Sequence, residues 1–270
     1  MFLSPQILLL PNATDGFFEL WQVPSTPDTA PTRPILALGL PPLKRGHFIS
    51  MLSCRGEPNP AVGGLPYSTR PYNSSAMDAI IIFNLRIQGI GVIVPGNSFS
   101  IFAHRRALLQ LCPDAPLFKP DDDVVPLIPW AQWGPSITRW LGAGVMPTRW
   151  ITTTSGQRCV FRLARTGNEP SPIVVLDFHP TSVKRAAAAE GASRCISCFA
   201  RPSEIDHRSF EVSVMSALPY ACYASPDVFD YDGLLMDEDR LIGLQVHIFS
   251  CVSIPSILTY HPIRLMSWTR

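Results

Sequence analysis

The chain has 270 residues, 46% of them hydrophobic and 16% charged, which excludes a disordered polymer and supplies core material for one large or two ordinary domains. Its 22 basic and 21 acidic residues leave a net charge of +1, so no general field draws it to nucleic acid or an anionic membrane. Twenty-eight prolines, roughly twice the average share, point to short elements and rigid turns, because proline donates no backbone hydrogen bond to a helix interior or central strand.

The first ten residues, Met1-Phe2-Leu3-Ser4-Pro5-Gln6-Ile7-Leu8-Leu9-Leu10, lack the basic start and small-residue cleavage site of a signal peptide, and Pro5 interrupts the apolar run. They read as a buried first strand. Short apolar segments rich in β-branched and aromatic residues follow at 17–23, 35–40, 79–87, 99–103, 150–154, 159–163, 173–178, 210–214 and 241–246. Prolines, glycines and aspartates separate them. This punctuation predicts a mainly β fold, an antiparallel meander, sandwich or partial propeller-like domain with one or two short helices.

One hairpin is expected around Ser155-Gly156, where glycine accepts the positive φ of a tight turn, and 173–178 adds a third strand after a polar turn at 165–172. A second hairpin joins 233–236 to 240–244 across the acidic tip Asp237-Glu238-Asp239. Residues 181–190 form the clearest helix, preceded by Pro180, capped by Thr181 or Ser182 and ended by Gly191; 104–111 predicts a second. Residues 59–75 and 113–132 read as loops. With no sharp linker, the chain reads as one β-rich, propeller-like interaction domain over 1–246, followed by a divergent tail at 247–270.

Catalytic signatures are missing: there is no P-loop, H-E-x-x-H, G-x-S-x-G or full G-x-G-x-x-G pattern. Cys195-Ile196-Ser197-Cys198 is a lone CxxC without a second pair, so no zinc and no cofactor is expected. Asp177 and His179 share one face of a strand, where hydrogen bonding at a turn is the expected role. His104 lies beside Arg105-Arg106, and that pair, Lys184-Arg185 and Asp121-Asp122-Asp123 are expected to be solvated. Seven irregularly spaced cysteines suit thiols in a reducing compartment, hence an intracellular protein, cytoplasmic or nuclear. The apolar stretch 241–258 contains Gln245, His247 and Pro255, which disfavour a membrane span.

The densest unusual feature is Pro129-Trp130-Ala131-Gln132-Trp133-Gly134-Pro135 followed by Thr138-Arg139-Trp140. Tryptophan and arginine dominate binding hot spots, and they also fill cores. Trp130, Trp133, Arg139 and Trp140 are therefore candidates either for core packing or for a partner-binding surface.

Several ordered segments carry a family likeness. They are Leu40-Pro41-Pro42-Leu43-Lys44 with 49–60, then 80–85, Phe99-Ser100-Ile101-Phe102-Ala103-His104-Arg105, and the Trp-x-x-Trp-Gly-Pro stretch with Thr138-Arg139-Trp140. Next come Ile173-Val174-Val175-Leu176-Asp177-Phe178-His179-Pro180, Leu218-Pro219-Tyr220 and the hairpin at 232–244. From about Leu40 to Val246 this order resembles the region after the F-box in F-box proteins of basidiomycete fungi. The resemblance implies a β-rich, propeller-like domain that holds a protein substrate for a Cullin–RING ubiquitin ligase. Residues 1–39 do not match the leucine- and proline-marked helical F-box, so recruitment of the ligase adaptor is not expected of this chain. The expected partner is a protein of unknown identity. Two other functions remain open, a hydrolase with dispersed Asp and His residues and a membrane-tethered protein.

Overall fold

The computed structural model describes residues 1–24, 33–60, 75–91, 97–112, 124–142, 153–163, 170–189, 191, 194–237 and 240–245, and the backbone of 246–247 and 257–264. The fold is mainly β, in antiparallel sheets. Where the sequence reads as one body over 1–246, the contacts gather two compact units, Met1–Ala143 with Ala200–Pro219, and Gly144–Phe199 with Tyr220–Arg270. Gly142 and Gly144, and Pro202 and Pro219, lie at these crossings, but both residue types recur throughout the chain, so they do not single out the division.

The first unit holds β1 (Phe2–Ser4), β2 (Ile7–Asn12), β3 (Phe17–Gln22), β4 (Leu36–Gly39), β5 (His47–Arg55), β6 (Ile80–Gly89), β7 (Asn97–His104), α1 (Arg105–Leu109), β8 (Leu127–Ile128), α2 (Trp130–Ile137) and β9 (Thr138–Gly142). One sheet runs β1-β2-β3-β4-β8, with only β4 and β8 parallel, and the other runs β5-β6-β7-β9. The expected single first strand is a hairpin instead, because Pro5 turns the chain and Ser4 Oγ accepts from the Gln6 and Ile7 amides. Inward residues of both sheets, among them Leu9, Phe18, Leu20, Leu36, Phe83, Leu85 and Ile101, share one core. The Phe18 and Phe83 rings meet at 4.3 Å. In β6 the run Ile80-Ile81-Ile82-Phe83 is buried on both faces, which is why it reads as continuous rather than alternating.

The second unit holds β10 (Thr154–Ser155), β11 (Arg158–Arg162), β12 (Ser171–Asp177), α3 (Pro180–Ala188) and β13 (Ile196–Phe199). The chain then returns to the first unit as the hairpin β14 (Ser203–Ile205) and β15 (Val214–Ser216). It re-enters the second unit as β16 (Tyr220–Phe229), β17 (Gly233–Met236), β18 (Arg240–His247) and β19 (Ile257–Arg264). The order β10-β11-β12-β16-β13 forms one sheet and β17-β18-β19 another. Val160, Ile173, Val175, Leu234, Met236 and Leu241 form a core between these sheets.

Both expected hairpins form, and residues 150–152 of the leading arm of the first lie outside the described residues. Met236 opposes Leu241, and Asp237 accepts from the Arg240 amide at 2.6 Å; Glu238 and Asp239 lie outside the described residues. In the other, Ser155 opposes Arg158, so the turn is Gly156-Gln157, one residue later than expected, with Gly156 at φ 56°. Residues 210–214 are not a strand: Phe210 makes one bridge to Leu43, and β15 starts only at Val214. Residues 127–132, expected within a loop, instead carry β8 and the start of α2, because burial of Trp130 and Trp133 outweighs the local proline and polar content. The boundary expected at 246/247 falls inside β18, and of the tail only the backbone of β19 is described. Among the described residues no helix is long and apolar enough to cross a membrane, and 241–258 is strand where it is described. Loop residues 61–74 and 113–123, Asp121-Asp122-Asp123 among them, lie outside the described residues.

α3 starts one step earlier than expected. His179 is its N-cap, with Nδ1 accepting from the Thr181 amide at 3.1 Å, and Pro180 occupies the first turn, where its missing N–H costs nothing. Asp177 Oδ1 in turn accepts from the His179 amide at 2.8 Å. Replacing His179 with alanine is expected to lower stability by about 1 kcal/mol, the usual worth of an N-cap, measured by urea unfolding. No change would mean that the cap is idle.

Candidate functional site

The candidate residues lie on one continuous stretch, α2 into β9. Trp130 and Trp133 are three apart and share the buried face of α2. Burial of two indoles outweighs the poor helix propensity of Gly134-Pro135. Thr138 ends the helix, its amide and its Oγ1 both donating to Gly134 O, the latter at 2.7 Å. A Cβ at Gly134 would lie inside the Trp130 indole, so only glycine permits this approach.

All four candidates are interior. Trp133, Trp140, Arg139 and Trp130 are between 1% and 6% exposed, so the core-packing alternative describes them and their rings form no outer binding surface. Trp133 Nε1 donates to Gly39 O at 2.8 Å, tying α2 to the first sheet. Trp130 stands edge-on to Trp133 at 5.0 Å and to Trp140 at 5.3 Å, and Trp140 meets Phe210 at 5.7 Å.

What this stretch recognises is the chain's own 200–219 segment. Arg139 donates from Nε to Leu218 O at 2.7 Å, from Nη1 to Ser203 Oγ at 2.8 Å and from Nη2 to Arg201 O at 3.1 Å. Thr138 O accepts from the Ala217 and Leu218 amides, and the Trp140 amide donates to Ser216 Oγ at 3.2 Å. The exposed side of edge strand β9 is thereby covered, which removes a template for aggregation. At the far end of the segment, Phe210 packs on Phe99 and Trp140, while His207 stands edge-on to Phe99 at 5.4 Å. Burial, then the nearby Arg208 and His47, lower the pKa of His207 below the ordinary histidine value, with Asp206 opposing.

The other candidates are dispersed. His104 Nδ1 lies 3.2 Å from Asp78 O, and His179 and Asp177 hold the start of α3. Cys198 on edge strand β13 points its thiol at Val183 O, 3.6 Å away. Among the described residues no three His, Cys, Asp or Glu side chains converge, and the described cysteines are thiols rather than disulfides. The expectation that Arg105-Arg106 is solvated holds for one member only. Arg106 pairs at the surface with Asp78 at 2.7 Å. Arg105 is fully buried, because α1 turns it inward to the carbonyls of Pro58 and Ala76, and burial lowers its pKa to about 10 against the opposing pull of Glu57.

Sequence reasoning missed the outer face of the first sheet. Cross-strand partners share a face, so the register lays out three rows: Phe2-Leu8-Trp21, then Leu10-Glu19-Ala37-Leu127, then Asn12-Phe17-Gly39. Phe2, Leu10 and Leu127 are 43%, 37% and 57% exposed, and Leu8, Phe17 and Trp21 are half-buried. At the centre, Glu19 accepts from Trp21 Nε1 and Asn12 Nδ2, each at 2.9 Å. The signal was present in Ile7-Leu8-Leu9-Leu10: a strand with one buried face needs only alternate apolar residues, and these four are apolar at both parities. No family model, curated protein or solved structure matches this chain.

Proposed function

We propose that the chain is a non-enzymatic protein-recognition domain, similar in role to the substrate-holding part of an F-box protein. The observation that carries this reading is the exposed apolar face of the first sheet, since patches of this kind on a folded protein mark interaction sites. Asp177 and His179 hold the start of α3, His104 Nδ1 lies against Asp78 O, and the tryptophan–arginine cluster serves the chain's own 200–219 segment, whereas Phe2, Leu10 and Leu127 on the outer face of the first sheet are exposed together. Adaptor binding forms no part of the proposal. The cysteine thiols suit a reducing compartment, and we place the protein inside the cell.

The test is a photo-crosslinking amino acid placed at Leu127 of the full chain in living cells. A discrete protein adduct is expected there and not from the exposed polar position Glu204. Absence of any adduct at Leu127, or hydrolytic turnover lost in His179→Ala or His104→Ala, would overturn the reading.

A further inference from the structure

We infer that the outer face of the first sheet binds a peptide segment that presents a lysine or arginine between apolar side chains. The inference rests on the recognition reading above and names the chemistry of the partner. The three rows carry one charge, Glu19, ringed by Phe2, Leu8, Leu10, Phe17, Trp21 and Leu127. Beside them, Asn12 Nδ2 also donates to Asp15 Oδ2 at 3.0 Å, so a second carboxylate lies at the margin and no basic residue occurs in the rows.

Glu19 is held rather than loose. Trp21 and Asn12 each take one of its oxygens, which fixes the carboxylate at the centre and leaves lone pairs on both oxygens for a further donor. The half-buried Trp21 indole is bonded beside it, and an indole attracts a cation through its ring face. An apolar partner without a cation would bury this carboxylate with no opposing charge, which is costly. A second copy of the same face would bring Glu19 against Glu19 or against apolar side chains, both unfavourable. A basic residue flanked by apolar ones satisfies the rim and the centre together.

The probe is a fluorescent peptide with one arginine between leucines and phenylalanines, together with its Arg→Glu and Arg→norleucine counterparts, titrated with the full chain. The arginine peptide is expected to bind at least tenfold more tightly than the other two. Glu19→Gln, which keeps an oxygen acceptor for Trp21 while removing the charge, is expected to abolish that preference with unchanged circular dichroism. Glu19→Lys is expected to invert it in favour of the glutamate peptide. Leu127→Asp is expected to weaken every peptide. Equal binding of the three peptides, or a preference that survives Glu19→Gln, would overturn the inference. So would a dimer in light scattering that Leu127→Asp disperses. A crosslinked partner at Leu127 together with equal peptide binding would sink this inference alone and leave the recognition reading standing.

Discussion

Replacing Arg139 with alanine is expected to destabilise the first unit by roughly 3–5 kcal/mol, one of the two largest single-residue effects in the chain. Arg139 is 2% exposed, and its guanidinium donates to two carbonyls and a hydroxyl on the 200–219 segment. Hydrogen bonds to a charged donor contribute about 1.5–3 kcal/mol each, they are not additive, and truncation also leaves buried acceptors without partners. Urea unfolding followed by tryptophan emission reads the loss. Limited proteolysis should show cleavage within 200–219 before global unfolding. Arg139→Lys should recover little, because a single ammonium cannot reach three acceptors arranged for a planar fork. A loss below about 1 kcal/mol, with 200–219 still protected, would mean that the backbone hydrogen bonds to Thr138 and the packing of Phe210 hold the segment without the guanidinium.

The second large effect carries an unusual sign. Gly to Ala inside a helix ordinarily stabilises by about 1 kcal/mol. Gly134→Ala is expected to destabilise by about 3 kcal/mol instead, because the new methyl occupies the position of the Trp130 indole. Trp130 in turn contacts Trp133 and Trp140, so its displacement disturbs the whole aromatic array. In a double-mutant cycle, Gly134→Ala should cost little on a Trp130→Ala background, and that coupling is the diagnostic result. Equal costs on both backgrounds would place the damage in the backbone rather than in the indole contact.

These residues also show what the sequence could and could not disclose. Strands such as β3, β4, β7, β11 and β12 were legible because each is a short apolar run bounded by turn formers. The register at Gly156 was off by one, since Ser155-Gly156 and Gly156-Gln157 both place glycine in the turn, and only pairing distinguishes them. α2 was hidden because its stability comes from burying Trp130 and Trp133 and not from local propensity. Arg139 was identified as unusual, yet its role depends on acceptors at Arg201, Ser203 and Leu218, more than sixty positions away. The outer face of the first sheet needed the register of four strand pairs before Glu19 could be placed among its neighbours.

The membership of Ala200–Pro219 in the first unit sets an order on biosynthesis. A ribosome releases residues 1–143 well before the segment that covers β9, and all of Gly144–Phe199 must emerge in between. Until residues 200–219 emerge, the hydrogen-bonding edge of β9 and the Phe99–Trp140 contact lack the segment that covers them in the finished fold. Slow translation through 144–199 therefore lengthens the time for which that strand edge is uncovered. The chain's yield should depend on elongation rate and holdase chaperones more than its final stability would suggest.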